Sequence, residues 1–468
     1  MSWDRRTTRQ QARTRTAALK SQVVDAVAPF SPYWRERLAA LGRSPADVAS
    51  VAGLRTLPAA GERDICQDGP ADAAALVLQA GESGWALHTE GPALRRGLAR
   101  RLFRPRSYRG IVEADTRPTT FVSAGLGLRF PVASTRSDLD VVARTGARLW
   151  QVLGLTRADV LVAALPLTPT AALQGLQLGA LGAGSPALFP GDSPDDVAAA
   201  LRLVPASVLA LPTGSAGELL DDLDESGADL SAVRTVLLVG APDDAERAAA
   251  LAGLERAAVS GAAVLAVHVP EGHRLLWAEC REGGPGLHTY PDLELIELLD
   301  AETAMPADDG EVVLTQLGLR GTALLRWRTG DVASGLETAA CPACGRTVPR
   351  LTGVRRGPLV RSLALRGGRR DVDLRAVAAA LDGRADVKDW RVVAGPSPRD
   401  GADELLIHVV ATGEPADVAV AVARDVRTAS GLLPTQVVLV ATSADLPRGR
   451  GPSRRVLLRE RAQPAAQG

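Results

Sequence analysis

The sequence predicts an α/β protein with a large N-terminal domain and a small α+β C-terminal domain, and three observations predict this class. The chain has 468 residues, 46% of them hydrophobic, which is enough for a large packed domain and a smaller one. From about residue 73 to 261, short apolar runs alternate with amphipathic stretches, a pattern typical of mostly parallel sheets flanked by helices. After residue 262 the pattern becomes rich in strands, and a second change at 351–361 precedes a mixed stretch of helices and strands.

The elements of the N-terminal domain follow from the spacing of apolar residues. Up to about residue 57, apolar positions recur at helical spacing and are interrupted by Pro and Gly, which predicts short helices. Further on, four apolar runs predict buried strands and three amphipathic stretches predict helices. The strands are VLVAALPL at 160–167, SPALFPG at 185–191, SVLALP at 207–212 and TVLLVG at 235–240. The helices lie at 137–155, 195–204 and 243–257.

The rest of the chain divides into a β-rich part and a final α+β part. Alternating apolar and polar positions predict antiparallel strands at 274–280, 287–300 and 311–317. The last part predicts helices at 373–381 and 416–430 and strands at 389–395, 404–412 and 436–442. We therefore place the N-terminal domain at 1–352, with a β-rich subdomain at about 262–352, and the C-terminal domain at 353–468, an ordinary domain size.

Charge and targeting signals narrow the class of protein. Lys plus Arg and Asp plus Glu both total 54, so no global field favours nucleic acid or an acidic membrane as a partner. The arginine-rich N-terminus is not followed by an apolar segment, and no run of about 18 apolar residues occurs, which favours a cytoplasmic protein. The arginine cluster at 93–110 is interpreted as a helix with a solvated basic face. Lysine occurs only at positions 20 and 388, so few amines are available for catalysis.

The cysteines predict a metal site rather than disulfides, because four of them at uneven spacing are too few for a disulfide framework. In the C-x-x-C turn at 341–344, Pro and Gly let two thiolates face one point, and a Cys and a His flank the glycine-rich turn REGGPGL between two predicted strands. If the two turns meet, three thiolates and one imidazole form a closed tetrahedral set, which suits structural zinc. The four ligands are Cys280, His288, Cys341 and Cys344.

Other assignments of these residues remain open. His273 could replace His288 as the fourth ligand, and the C-x-x-C turn could be a redox pair or incidental. His268 is interpreted as a buried strand residue and Cys66 as a free thiol.

The stretch ALLRWRTGDVASGLETAACPACGRTVPRL at 323–351 resembles the adenylate-forming ligases, and specifically the phenylacetate-CoA ligase branch. In that branch an aromatic-Arg-Thr-Gly-Asp run precedes a cysteine-containing turn and Gly-Arg-Thr. Further matching stretches fall in the required order at 30–58, 134–144, 236–242, 284–290 and 446–456. The resemblance therefore spans nearly the whole chain, more loosely between about Asp68 and Arg117, and it implies the adenylate-forming enzyme fold with a mobile C-terminal domain.

The resemblance also implies a reaction and its ligands. ATP adenylates a small carboxylic acid, most simply an aromatic one, and the thiol of CoA or of a carrier protein then takes the acyl group. ATP or AMP, Mg²⁺ and CoA are the implied ligands, with structural zinc at the cysteine turn. A homodimer is an open option for the assembly.

Several residues match the nucleotide site of the family. The resemblance implies that Asp331 binds the ribose hydroxyls, that Gly240 and Ala241 lie beside the adenine, and that Glu271 helps to hold Mg²⁺. Arg355 or Arg356 matches the hinge, although strict register places Pro358 there. The phosphate loop corresponds to FVSAGLGLRFPVAS at 121–134, and its candidate contacts are Ser123, Gly125, Gly127 and Arg129.

The departures from the family concern phosphate binding and the adenine. The loop has Ala124, Leu126 and Leu128 where hydroxyl groups are usual, and a plain strand-turn-strand segment describes it equally well. Val267 and His268 stand at the position of the usual Tyr-Gly pair.

The loop LPRGRGPSRRV at 446–456 corresponds to the loop that carries the catalytic lysine. Pro452 occupies the lysine position, so stabilisation of charge on the phosphate is absent unless Arg450 or Arg454 takes the place of the lysine. Three hypotheses follow. The chain is an active acid-thiol ligase, a catalytically inactive family member that acts as a binding or regulatory partner, or a protein that transfers acyl groups without adenylation.

Overall fold

The computed structural model describes residues 3–61, 75–78, 113–125, 127–242, 244–300, 303–356, 360–365, 368–397, 402–447 and 456–458. The chain divides into two compact units, Met1–Arg355 and Arg356–Gly468. Within the described residues, no helix combines the length and the apolar character needed to cross a bilayer.

The first unit begins with helices that are fixed by side-chain caps. Helix α1 is Thr8–Lys20, and it continues through a π-helical segment, Ser21–Val27, and a last turn, Ala28–Phe30. Helix α2 is Pro32–Ala40, and shorter helical turns follow at Pro45–Val48 and Val51–Leu54. The Thr7 hydroxyl accepts from Gln10 N while the Gln10 side chain accepts from Thr7 N, so two otherwise unpaired N–H groups are satisfied at the start of α1.

A β-hairpin and two helices follow. Strands β1 (Pro118–Gly125) and β2 (Gly127–Thr135) are antiparallel, and β2 leads directly into helix α3 (Arg136–Val152). Helix α4 (Ala171–Ala183) packs on α3. A Cβ at Gly146 of α3 would collide with the backbone of Gly179 in α4, so the two helices approach closely only because both positions lack side chains.

A nine-stranded sheet forms the centre of the first unit. Its order is β13-β14-β9-β8-β7-β6-β5-β3-β4, in which β4, β3, β5, β6 and β7 are parallel and the remaining pairs are antiparallel. The parallel strands are β3 (Leu161–Ala163), β4 (Ala187–Leu188), β5 (Val208–Pro212), β6 (Thr235–Val239) and β7 (Ala263–His268). The antiparallel strands are β8 (Trp277–Ala278), β9 (Leu287–His288), β13 (Gly335–Glu337) and β14 (Arg350–Thr352).

Both faces of the parallel strands are buried. Leu237 belongs to one apolar cluster and its neighbours Val236 and Leu238 to another, as the alternation of side chains along a strand requires. Helices α5 (Pro194–Leu203), α6 (Ala216–Glu225) and α7 (Asp244–Arg256) lie in the connections between the strands. The predicted class, mostly parallel strands flanked by helices, is confirmed.

A second sheet of the first unit has the order β10-β11-β12-β15. Strands β10 (Glu294–Leu299), β11 (Gly310–Gln316) and β12 (Trp327–Ala333) are antiparallel neighbours, and β15 is the short strand Arg355–Arg356, at which the division between the units falls. The stretch 287–300, predicted as one strand region, is divided into β9 and β10. The Glu294 carboxylate accepts from Tyr290 N at 2.6 Å, which holds the turn between them.

The second unit has its own apolar core. A hairpin of β16 (Val360–Leu365) and β17 (Gly368–Asp373) precedes helix α8 (Leu374–Asp382). A four-stranded sheet of order β20-β19-β18-β21 and helix α9 (Pro415–Ser430) complete the unit. The strands are β18 (Val387–Pro396), β19 (Asp403–Ala411), β20 (Gln436–Leu439) and β21 (Val456–Leu458).

Candidate functional site

The four predicted metal ligands meet in the structure. The ligand atoms of Cys280, His288, Cys341 and Cys344 all lie within 4.8 Å of one another. The Cys280 and Cys341 sulfurs are 4.0 Å apart, and Cys344 Sγ is 3.6 Å from His288 Nε2. Tetrahedral zinc with Zn–S bonds of about 2.3 Å and Zn–N bonds of about 2.0 Å would separate two sulfurs by about 3.8 Å and a sulfur from a nitrogen by about 3.5 Å. The arrangement therefore fits a closed four-coordinate zinc site.

Strand pairing explains why the two cysteine turns meet. His288 in β9 is the register partner of Ala278 in β8 and of Arg350 in β14. Cys280 lies just after β8, and the Cys341 turn lies in the connection that returns to β14. Cys341 N donates to Arg346 O at 2.8 Å, which closes that turn. The pairing within the nine-stranded sheet thus brings the two turns together, and all four ligand candidates belong to the first unit.

Burial and charge favour metal-binding forms of these side chains. Burial lowers the pKa of His288 to about 4, with further lowering by Arg346 and Arg350, so the imidazole is neutral and its lone pair can bind a metal. Burial raises the pKa of Cys280 to about 12 in the absence of a metal. Burial also acts to raise the pKa of Cys341, but N–H groups of Cys344 and Ala343 outweigh it and hold that pKa below its ordinary value. A metal must therefore displace the proton of Cys280.

The alternative fourth ligand lies in a different environment. His273 Nε2 is 2.7 Å from Glu294 Oε2, and both side chains are fully buried. Trp277 Nε1 donates to the same carboxylate at 3.0 Å, and the Gln316 amide lies 3.3 Å from His273 Nδ1. His288, not His273, joins the three cysteines.

The nucleotide-site candidates lie at the carboxyl edge of the parallel sheet, where ligands bind in open α/β sheets. Pro212, Val239 and Val267 are register partners in β5, β6 and β7. The residues that follow them, Thr213, Gly240 and His268, therefore form one row across the edge. Gly240 has φ 149°, and a Cβ there would collide with Thr213 Oγ1. Glycine is thus required at this point of the row.

Ala241 and Glu271 lie at the same edge. Ala241 follows Gly240 directly and is half-buried. Glu271 is half-buried, and its carbonyl oxygen accepts from Trp327 Nε1 at 3.0 Å. This contact fixes the backbone of the loop after β7 against β12.

Asp331 is hydrogen-bonded to His268. The His268 Nε2 atom is 2.7 Å from Asp331 Oδ2, and the two side chains are 2% and 7% exposed. Asp331 N also donates to Thr329 Oγ1 at 3.2 Å. His268 Nδ1 and Thr213 Oγ1 are buried and have no hydrogen-bond partner within the described part of the chain. His268 was predicted as a buried strand residue, which the structure confirms, but the sequence did not indicate its contact with Asp331.

The phosphate-loop candidates lie in the β1–β2 hairpin. Ser123 is the register partner of Pro131, and Gly125 is the register partner of Gly127. Arg129 lies in β2. The backbone of this segment is a paired strand-turn-strand, the alternative description that the sequence left open.

The remaining candidates are placed only in part. Arg356 lies in β15 and its side chain is outside the described residues. Arg450, Pro452 and Arg454 lie outside them too, as do Cys66 and the arginine cluster at 93–110.

Comparison with known proteins gives a structural likeness only. No protein-family model and no curated protein matches the chain. A solved structure of a 2-hydroxyisobutyryl-CoA ligase in the postadenylation state, in complex with 2-HIB-AMP, is 17% identical and has a TM-score of 0.64, with 98% of this chain and 91% of that chain covered. The same ligase in an open conformation, in complex with 2-HIB-AMP and CoA, is 17% identical and has a TM-score of 0.60, with 97% and 93% covered.

Membership of the phenylacetate-CoA ligase branch stays a prediction, because these structures do not test it. The likeness extends over nearly the whole length of both chains. It agrees with the nine-stranded sheet, the second sheet and the separate C-terminal unit. The chain therefore has the fold of the adenylate-forming enzymes.

Proposed function

We propose that this chain is a phenylacetate-CoA ligase-like homologue that acts as a binding or regulatory protein and does not adenylate carboxylic acids. The observation that carries the proposal is the buried 2.7 Å contact between His268 and Asp331. The resemblance implies that Asp331 binds the ribose hydroxyls. In this structure, however, its side chain is only 7% exposed.

The physical reason lies in what ribose binding requires. A carboxylate binds ribose by accepting hydrogen bonds from two hydroxyl groups, so its oxygens must be accessible. Here one oxygen accepts from a buried imidazole, and the imidazole occupies space that a glycine at position 268 would leave open. A nucleotide would have to displace His268 and leave a buried polar group without a partner, which costs about 1–3 kcal/mol.

The lysines support the same proposal. The chain has only Lys20, at the end of α1, and Lys388, in β18. Neither belongs to the phosphate loop at 121–134 or to the loop at 446–456. Loss of a well-placed cation that stabilises transition-state charge costs about 3–4 kcal/mol, or a factor of 10²–10³ in rate.

Zinc has a structural place in this proposal. Cys280, His288, Cys341 and Cys344 would hold the ion with four protein ligands and no open position. When bound, such an ion supplies folding energy rather than Lewis-acid catalysis. The site would join the β8–β9 turn to the turn before β14.

The second candidate function is the family reaction itself, adenylation of a small aromatic acid followed by thioester formation with CoA or a carrier-protein thiol. The observation that favours it is the shared position of Gly240, Ala241 and Glu271 at the carboxyl edge of the parallel sheet. ATP and Mg²⁺ would bind there, and Arg450 or Arg454 would take the part of the lysine. Acyl transfer without adenylation would need nucleotide or CoA binding but no pyrophosphate release.

Calorimetric titration with MgATP, followed by acid-dependent ATP/pyrophosphate exchange over a panel of aryl and short acyl acids, tests the proposal. We expect neither binding nor exchange in the unmodified chain. His268→Gly frees the Asp331 carboxylate, so nucleotide binding should become measurable, while exchange stays absent because no lysine is restored. Adding Asp331→Asn to His268→Gly should abolish the gained binding.

His408→Gly is the matched control, since it removes a half-buried strand histidine from the second unit. It should leave nucleotide binding unchanged. Exchange in the unmodified chain would refute the proposal in favour of the ligase. Binding of CoA or an acyl thioester without exchange would favour acyl transfer.

A further inference from the structure

The cysteine turn is fastened to the amino-terminal end of the chain. Thr347 N donates to Asp4 O at 2.8 Å, and Thr347 Oγ1 donates to Arg6 O at 2.7 Å. Arg5 Nη2 donates to the carbonyl oxygen of Cys344, a metal-ligand candidate, at 3.3 Å. The segment before α1 therefore binds the backbone of the metal turn directly.

Trp3 extends this attachment into the core of the first unit. Its indole Nε1 donates to Gln151 Oε1 at 3.1 Å, and its ring lies 5.5 Å from that of Tyr290. The Arg148 guanidinium lies 5.0 Å from the centre of the Trp3 ring. Residues 3–6 are thus held by ring packing at one end and by the metal turn at the other.

Arg346 connects the two parts. Its Nε donates to Asp4 Oδ2 at 3.1 Å, its Nη2 donates to Gln151 O at 2.6 Å, and Glu282 lies 3.7 Å from its Nη1. Only 11% of the side chain is exposed. The backbone carbonyl of Arg346 also accepts from Cys341 N at 2.8 Å, so the residue that holds Asp4 also closes the cysteine turn.

The charge of the zinc-bound site explains why a cation such as Arg346 is needed beside it. Three thiolates, one neutral imidazole and one divalent zinc carry a net charge of −1. A negative cluster that is largely out of water needs a nearby cation, and an arginine can at the same time hold several oxygens because its guanidinium has five donors. Arg346 is placed to supply both the charge and the geometry.

We propose that Arg346 is a positioning residue of the metal site and that it couples metal binding to docking of the amino-terminal segment, residues 3–6. This inference rests on the zinc site proposed above. The Arg346 backbone closes the cysteine turn, its guanidinium holds Asp4, and Thr347 of the same turn holds the backbone of residues 4 and 6. Linkage makes the coupling reciprocal, so loss of the segment weakens the metal by the factor by which loss of the metal weakens docking.

The experiment measures zinc affinity and segment docking separately in the full chain. Zinc affinity is obtained by competition with a chelating dye, and docking is obtained by hydrogen exchange of the peptide that covers residues 3–11, before and after chelation. We expect Arg346→Ala to weaken zinc by about 10–100-fold, the usual effect of removing an outer-sphere partner of a metal ligand. Chelation of the unmodified chain should raise exchange in residues 3–11.

Two further variants keep the test decisive if Arg346→Ala folds poorly. Asp4→Asn keeps the guanidinium but removes its carboxylate partner, and it should weaken zinc less than Arg346→Ala does. Arg346→Lys keeps the charge without the fork of donors and should fall between the two. Arg384→Ala is the matched control, because Arg384 is 13% exposed and bonded to carboxylates in the second unit.

The outcomes separate the coupling from the metal site. A zinc-free unmodified chain would overturn the metal site and the coupling with it. A zinc-containing chain in which Arg346→Ala and Asp4→Asn bind zinc as tightly as the unmodified protein, with no change in exchange on chelation, would overturn the coupling alone.

Discussion

Gly284 offers a sharp test of the metal site because it lies against two of the sulfurs. A Cβ added at this position would stand 3.1 Å from Cys280 Sγ and closer still to Cys341 Sγ. Non-bonded heavy atoms settle at about 3.5–4.0 Å, so Gly284→Ala would push Cys280 Sγ by at least about 0.4 Å and Cys341 Sγ further. Metal–ligand distances tolerate only about 0.2 Å.

The expected result is loss of at least one thiolate ligand. We expect zinc affinity to fall by at least about 100-fold, or roughly 2.8 kcal/mol at 1.4 kcal/mol per tenfold. Competition with a chelating dye gives the affinity, and titration of accessible thiols gives the number of sulfurs released.

Gly283 is the matched control because it adjoins Gly284 in the same turn. It has φ 73° and no atom within 4 Å of an added Cβ. Gly283→Ala should therefore cost about 1–2 kcal/mol of folding stability through backbone strain while zinc binding is retained. Equal zinc affinities in Gly284→Ala and the unmodified chain, with normal folding, would refute the assignment of these sulfurs to a metal.

Three further predictions concern stability, the first two measured by chemical denaturation and the third by hydrogen exchange. The Asp138 carboxylate accepts hydrogen bonds from Arg320 N and Gly321 N and forms an ion pair with the fully buried Arg274. Asp138→Ala should therefore lower the free energy of unfolding by about 3–5 kcal/mol. A loss below about 1 kcal/mol would contradict this. Burial acts to raise the pKa of Asp159, but hydrogen bonds from Thr156, Ser207 and Arg234 hold that pKa below 3.8. Because the folded pKa is depressed, this stabilisation is complete above the ordinary pKa and is lost as pH falls through the folded one. Asp159→Asn should thus cost about 1 kcal/mol at pH 7, and the difference should disappear in acid; a constant difference would refute the carboxylate's role. Ile407 is fully buried in the second unit, so Ile407→Ala should lower that unit's free energy of unfolding by about 2–5 kcal/mol. Hydrogen exchange in β18 and β19 should become faster, whereas exchange in β5 and β6 of the first unit should not change.

Strong local patterns made most of the fold predictable. The parallel strands β5 and β6 are continuous apolar runs, and α3 has a Thr-x-x-Asp capping box, so both kinds of element leave a signal within a few residues. Helix α4 was not predicted, because its sequence AALQGLQLGALGA is apolar or glycine on nearly every face and has no amphipathic period. The helix exists because its glycines let it pack closely on α3, which is a tertiary effect.

The candidate sites were predictable to different degrees. The cysteine spacing and the glycine-rich turn before His288 pointed to the four residues that meet, although His273 stayed open as the fourth ligand until the structure placed it elsewhere. The contact of His268 with Asp331 was not predictable, because 63 residues separate them and only the tertiary fold brings β7 and β12, strands of different sheets, together. Arg346 was missed as well, since one arginine among many gives no local signal of its contacts with Asp4 and Gln151.

The spacing of the cysteine turns has a consequence for chain entropy. Cys280 and Cys341 are 61 positions apart, and strands β10, β11 and β12 all lie between them. A metal held by both residues would close this loop in the unfolded chain as a covalent cross-link does. For a loop of that length, the lost chain entropy corresponds to about 4 kcal/mol of stabilisation. The ion would then act as a cross-link that encloses the strands of the second sheet in one loop. These antiparallel strands would fold from a chain whose ends are already held together.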